Sequence, residues 1–276
     1  MWRKSICVVG IIAGLSLTAG HLFAQNSVDK AWSTLESGIA EKGDDRGIAV
    51  RVLGLVENNP KAAEVAIAAL GDEKPEVRAA AADALGQMHA KSAVPKLKEN
   101  VKAEKEPGVV MADARALIAL GDPLGYAVYY AVLTGEKKSG GGLLDDQKKM
   151  LHDPKKMAQF GFEQGIGFIP FASVGMGAFK ALTKDDSSPV RAAAARIMAG
   201  DHDPKSGEAL VEASSDKSWM VRAAALDALS HRGDPRVIPQ IESKLDDEKS
   251  SVRFAAAAAI IHLSDIQIAG KGRSKK

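Results

Sequence analysis

Four Asp-Asp pairs, six histidines and one cysteine are the residues of this chain whose types could do chemistry. The pairs are Asp44-Asp45, Asp145-Asp146, Asp185-Asp186 and Asp246-Asp247. Two carboxyls whose surroundings drive their pKa values apart are the usual equipment of acid–base catalysis. Three of these pairs fall in turns between apolar segments and the fourth in an early helical turn, where a carboxylate complements the positive end of a helix. His89, His152 and His202 recur at one position of an internal repeat, near the end of a helix, where a cation suits the dipole. Neighbouring units place such residues about 10 Å apart. That is too far to share a zinc ion, which holds nitrogen at about 2.0 to 2.1 Å. No nucleophile, base and orienting group stand at a recognisable spacing, and SGGGLLDD from Ser139 lacks the Lys-Ser/Thr ending of a phosphate loop. The sequence therefore predicts no catalytic residue, no metal and no cofactor, and leans away from an enzyme.

One stretch departs from the rest. FGFEQGIGFIPFASVGMGAF, residues 160–179, holds five of the seven phenylalanines and five glycines. Glycine permits close approach and aromatic rings supply contact area, so Phe160, Phe162, Phe168, Phe171 and Phe179 are candidate binding residues. Tyr126, Tyr129 and Tyr130 stand at i, i+3 and i+4, one face of a helix, and Tyr126 and Tyr130 join the candidates. The competing reading is a structural insertion that packs its phenylalanines onto neighbouring helices. A membrane-inserting element is disfavoured, because Pro170 interrupts the charge-free span at residues 164–179 and a bilayer needs about 20 residues.

The elements that would position these residues follow from self-similarity. DEKPEVRAAAADALG from Asp72, DDSSPVRAAAARIMAG from Asp185, DKSWMVRAAALDALS from Asp216 and DEKSSVRFAAAAAII from Asp247 share one pattern. In each an Asp precedes an Arg by six residues: Asp72 and Arg78, Asp185 and Arg191, Asp216 and Arg222, Asp247 and Arg253. Arg46 stands at the same register one unit earlier and Val110 one unit later, so the period is 31 to 32 residues. Two short apolar-periodic segments split by a polar turn within each period predict helix pairs stacked as a solenoid. VPKLKENV from Val94 and VIPQIESKL from Val237 read as first helices; the alanine runs read as second helices that approach one another closely. A guanidinium at the start of a helix opposes the dipole, and the Asp six residues before it is placed to compensate. These eight residues therefore read as a structural ladder that stitches units together.

The pattern resembles the HEAT repeat, in the short HEAT-like class first associated with phycobilisome lyases, over about residues 28–268. The resemblance implies an all-α solenoid of about seven two-helix repeats and, by itself, no reaction. One member of that class, deoxyhypusine hydroxylase, builds a di-iron site from His-Glu dipeptides; here the histidines are followed by Leu, Ala, Asp, Asp, Arg and Leu. From Gly141, at the Arg register, to Arg191 is 50 residues, an excess over one period that locates an aromatic and glycine-rich insertion at about 155–184.

The ends complete the division of the chain. Arg3 and Lys4 precede an apolar run that closes with Leu22-Phe23-Ala24, which predicts a signal peptide over residues 1–24 and a periplasmic or secreted protein. The repeat solenoid is assigned to residues 25–268, and GKGRSKK heads a basic disordered tail at 269–276. Cys7 lies in the signal, so no disulfide is expected beyond it. Residues 1–24 hold two of the 37 Lys and Arg and none of the 35 Asp and Glu, so the remainder carries no net charge. Nucleic acid, which selects basic surfaces, is not the expected partner, and membrane association after cleavage is not expected. The function read from these features is an exported protein–protein interaction scaffold with a protein partner. The alternative is an enzyme or small-ligand carrier with a pocket at the Phe/Gly-rich segment.

Overall fold

A proline at the first helical turn starts most units, because its missing N–H would have no intrahelical partner there. The computed structural model describes residues 12–41, 43, 45–134 and 187–273, with side chains from residue 26. The twelve α-helices among the described residues are α1 (Ile12–Ala40), α2 (Asp45–Arg51), α3 (Pro60–Ala69), α4 (Pro75–Gln87), α5 (Val94–Ala103), α6 (Pro107–Ala119), α7 (Leu124–Thr134), α8 (Ser188–Met198), α9 (Pro204–Ala213), α10 (Trp219–Arg232), α11 (Ile238–Ile241) and α12 (Ser250–Arg273). The chain is an all-α solenoid, and the described residues contain no strand. Five helix pairs are complete, and α7 and α8 are the single helices that border residues 135–186. The insertion expected at 155–184 lies outside the described residues.

Two expectations are corrected. VIPQIESKL folds as a four-residue α11 between 3-10 turns at Pro235–Val237 and Glu242–Asp246 rather than as one helix. Pro235 and Pro239 follow one another too closely for a continuous ladder of amide hydrogen bonds. The tail expected to be disordered from residue 269 is helical to Arg273. Gly270 and Gly272 cost about 1 kcal/mol each in a helix, which does not stop one propagated from a buried core.

The repeat Asp and Arg interlock adjacent units, with a pairing that differs from the sequence expectation. Six residues of separation bring Arg78, Arg222 and Arg253 onto the main-chain carbonyls of Asp72, Asp216 and Asp247, at 2.9, 3.0 and 2.8 Å. The carboxylate for each guanidinium comes instead from the following unit. Arg46 pairs with Asp72 at 3.0 Å, Arg191 with Asp216 at 3.0 Å and Arg222 with Asp247 at 2.7 Å. Glu104 takes the Asp register after Arg78 and binds it at 2.6 Å. The same carboxylates accept the amide two residues on, as in Lys74 N–H to Asp72, Ser218 N–H to Asp216 and Lys249 N–H to Asp247. Asp185, the partner expected for Arg191, lies outside the described residues. Burial alone pushes Asp247 up, but the hydrogen bonds from Arg222 and Lys249 outweigh it and hold its carboxyl below the usual range.

The second helices of the first half stack in the order α6, α4, α2, and those of the second half in the order α12, α10, α8. The two halves then meet: α12 packs on α2 and on the 3-10 turn Val52–Leu55, and α1 lies against both α2 and α12. The array is thus closed through its first and last units, and the ends of the two halves that border residues 135–186 stand furthest along the stack. Ser27 Oγ donates to Glu242 Oε1 at 2.5 Å, Lys30 pairs with Asp246 at 2.6 Å and Asn59 Nδ2 donates to Asp265 Oδ2 at 2.7 Å across this joint. Gly38 is required there, since a Cβ would collide with the buried ring of Phe254. Helix α12 is long and apolar enough to cross a bilayer, but 61% of its apolar window is buried within the protein, as befits a core helix.

One core position breaks the repeat rule. Three residues after the Arg register stands Ala49, Ala81, Ala194, Ala225 or Ala256, but α6 has Asp113. Asp113 is fully buried, and neither carboxyl oxygen has a hydrogen-bond partner among the described residues. Burial, reinforced by Glu104 and opposed by Arg78, pushes its pKa up to about 8. A carboxyl raised in the folded state contributes stability that is complete below about pH 4 and lost as pH rises toward 8. Asp113→Ala, which restores the residue of the other units, should therefore be more stable than wild type. In urea unfolding the gap should widen by about 1.4 kcal/mol per pH unit between roughly pH 4 and 8; a constant gap contradicts a neutral buried carboxyl.

Candidate functional site

Of the residues predicted to bind, Phe160, Phe162, Phe168, Phe171 and Phe179 lie outside the described residues. Tyr126 and Tyr130 are on α7, which Gly125 seats directly on α6; a Cβ at Gly125 would collide with the Ala114 carbonyl and Ile118. That docking turns one face of α7 outward. Tyr126, Tyr130 and Leu133 are 67%, 59% and 86% exposed. Tyr129 is half-buried and hydrogen-bonds Arg115. The three tyrosines thus do not act as one face.

The structure brings together a different set. Where the halves meet, the C-terminal turns of their second helices surround a cavity of about 500 Å³. The first half contributes Arg51, Glu57, Gln87 and His89, and the second half contributes Arg196, Asp227 and His231. A volume of this size is typical of small-molecule sites. Gly54 also lines it, and a side chain there would collide with the Gln87 side chain and crowd the Ala84 backbone, so the glycine leaves room for Gln87 at the wall.

The charges in the cavity belong to a second ladder. Five residues after the Arg register stand Arg51, Asp83 and Arg115 in the first half and Arg196 and Asp227 in the second. Asp83 hydrogen-bonds Arg115 at 2.7 Å and lies 3.6 Å from Arg51, so two guanidiniums share one carboxylate. Across the cavity, His231 Nδ1 is 3.0 Å from the Asp227 carbonyl oxygen and 3.5 Å from Asp227 Oδ1. Burial pushes the Asp227 carboxyl up, with His231 and Arg196 opposing; burial also pulls the Arg196 guanidinium down, with Asp227 opposing. The position was legible in the aligned alanine segments RAAAADAL, RAAAARIM and RAAALDAL. Only the closure of the array, which no local pattern encodes, shows that the two halves share a space.

His89 enters this cavity from a rare backbone conformation. It follows the last turn of α4 with φ of 53°, the left-handed region, where Gly121 and Gly233 stand in equivalent units with φ of 81° and 67°. A residue with a Cβ pays for that conformation, and such strain concentrates where a side chain must be aimed. His152, at the same register, lies outside the described residues, and His202 is exposed. Among the described residues no three His, Cys, Asp or Glu side chains gather closely enough to hold a metal ion.

Comparison with known proteins adds the following. The family model for HEAT repeats matches residues 34–123 and 177–261. No curated protein matches the sequence. Among solved structures, human deoxyhypusine hydroxylase in complex with glycerol is similar at 18% identity, covering 90% of this chain and 99% of the other with a TM-score of 0.33.

If His89 is held in a strained conformation, glycine should relieve it. His89→Gly is expected to raise the stability of the protein by about 1 kcal/mol, read as a higher unfolding midpoint in urea. A lower midpoint would show that the imidazole contributes more to folding than its backbone costs.

Proposed function

This chain belongs to the HEAT-repeat family, and from that premise we propose that it is an exported scaffold that binds another protein through the surface its repeats build. The single observation that carries the reading is the apolar ridge of Tyr126, Tyr130 and Leu133 on α7. Large contiguous apolar patches are uncommon on free protein surfaces, and buried aromatic side chains are the usual anchors of protein interfaces. Export rests on Arg3 and Lys4, the apolar run and Leu22-Phe23-Ala24. The destination is the periplasm or the space beyond it. The near-neutral mature chain argues for a protein rather than a nucleic acid as partner. The short period of 31 to 32 residues keeps the resemblance to the phycobilisome-lyase class, from which only the fold is carried over.

The test is crosslinking in the envelope fraction with the wild-type protein and with Tyr126→Ser/Tyr130→Ser, after circular dichroism shows equal helicity. Loss of two interface aromatics typically costs a few kcal/mol, so capture of a defined partner should fall by at least about tenfold in the variant. Equal capture by both proteins contradicts docking through α7.

A further inference from the structure

The cavity between the two halves is lined by a donor from the first half and an acceptor from the second, each only partly engaged. Arg51 lines it with a side chain only 25% exposed, and donates no hydrogen bond among the described residues. Its one ionic contact is Asp83 at 3.6 Å, and that carboxylate is already engaged by Arg115. A guanidinium is a planar fork of five N–H groups that matches a carboxylate bidentately, and here the fork makes one long ionic contact and no hydrogen bond among the described residues. On the facing half, the Asp227 carboxylate accepts no hydrogen bond among the described residues, with the His231 ring at 3.5 Å. Burial pushes its pKa up and His231 and Arg196 only partly oppose this, so a further cation brought to it would be favoured.

The remaining lining decides between an anion, a cation and a molecule that is both. Arg51 and Arg196 are balanced formally by Asp227 and Glu57. The second helices end at this cavity, so their carbonyl termini add partial negative charge of roughly half a unit each. A dianion such as phosphate would meet those carbonyls unfavourably, and a simple cation would meet two guanidiniums. The geometry points to a site for a zwitterion of amino-acid or short-peptide type, its carboxylate on Arg51 and its ammonium toward Asp227. Gln87, given room by Gly54, and His89, aimed by its left-handed backbone, supply polar groups between the two ends. The cavity volume of about 500 Å³ leaves room for a ligand larger than a single amino acid. This site goes beyond the scaffold reading and does not depend on it, since the α7 ridge lies on another helix.

Calorimetric titration of the purified protein with alanine, trialanine, N-acetyl-trialanine, trialanine amide and inorganic phosphate tests the assignment. Trialanine should bind, and blocking either end should weaken it by about tenfold, the worth of one charge-assisted hydrogen bond. Alanine binding as well as trialanine marks the free amino acid as the ligand; weaker alanine binding marks the peptide. Arg51→Gln should become indifferent to C-terminal amidation while keeping its sensitivity to acetylation, and Asp227→Asn should show the reverse. Failure of alanine and trialanine to bind at millimolar concentration overturns the proposal, as does tighter binding of phosphate than of trialanine. Equal affinity of wild type for free and blocked trialanine also overturns it, and that comparison needs no variant to fold.

Discussion

The structure depends on one side-chain arrangement: an aspartate that serves three partners at once. Asp216 accepts the Ser218 amide and the Arg191 guanidinium on its carboxylate, while its carbonyl accepts Arg222. Asp247 repeats this with Lys249, Arg222 and Arg253. Arg78 and Arg222 therefore each read the turn of their own unit through a carbonyl and the turn of the next through a carboxylate, which sets the placement of one unit on the next. Burial makes the arrangement consequential. Side chains of Arg222 and Asp247 are each 9% exposed. A charge left unpaired at such a site costs far more than the pair contributes when intact.

From that spacing the rest of the fold follows. Units locked in register bring alanine-rich second helices together along their lengths, and the small side chains allow close approach. The first and last units then meet, α1 burying Ala31 and Leu35 where it packs on α12, whose buried run from Phe254 to Ile261 is shared between α1, α2 and α10. Closure is what creates the cavity. Arg51 and Asp227 are far apart in sequence and line one space only because the two half-stacks meet end to end.

The repeat was legible because it is written in local chemistry: Asp and Pro at turns, Val and Arg at the start of a helix, alanine behind them. That was enough for the all-α solenoid. Pairing between units was half legible. A separation of six residues suggested a carboxylate partner within the unit, whereas helical geometry presents a carbonyl there and takes the carboxylate from about 25 residues further on. The cavity was not legible, because its lining comes from the two halves of the array, which only closure brings together. Asp113 was visible as a departure from alanine, but its burial depends on how tightly α6 packs on α4. For Tyr126 and Tyr130, sequence placed them on a helix, and only Gly125 docking on α6 shows that they face outward while Tyr129 turns to Arg115.

The central claim is that the inter-unit Arg–Asp pair, and not the six-residue pair within a unit, couples the repeats. A double-mutant cycle in urea on Arg222→Met and Asp247→Leu measures it directly, with Arg222→Met and Asp216→Leu as the within-unit comparison. The account predicts a coupling between Arg222 and Asp247 of about 1 to 3 kcal/mol, each single change costing more than the double change implies, and a markedly smaller coupling between Arg222 and Asp216. Additivity of Arg222 and Asp247 within about 0.5 kcal/mol, or an equal coupling in both cycles, would contradict it.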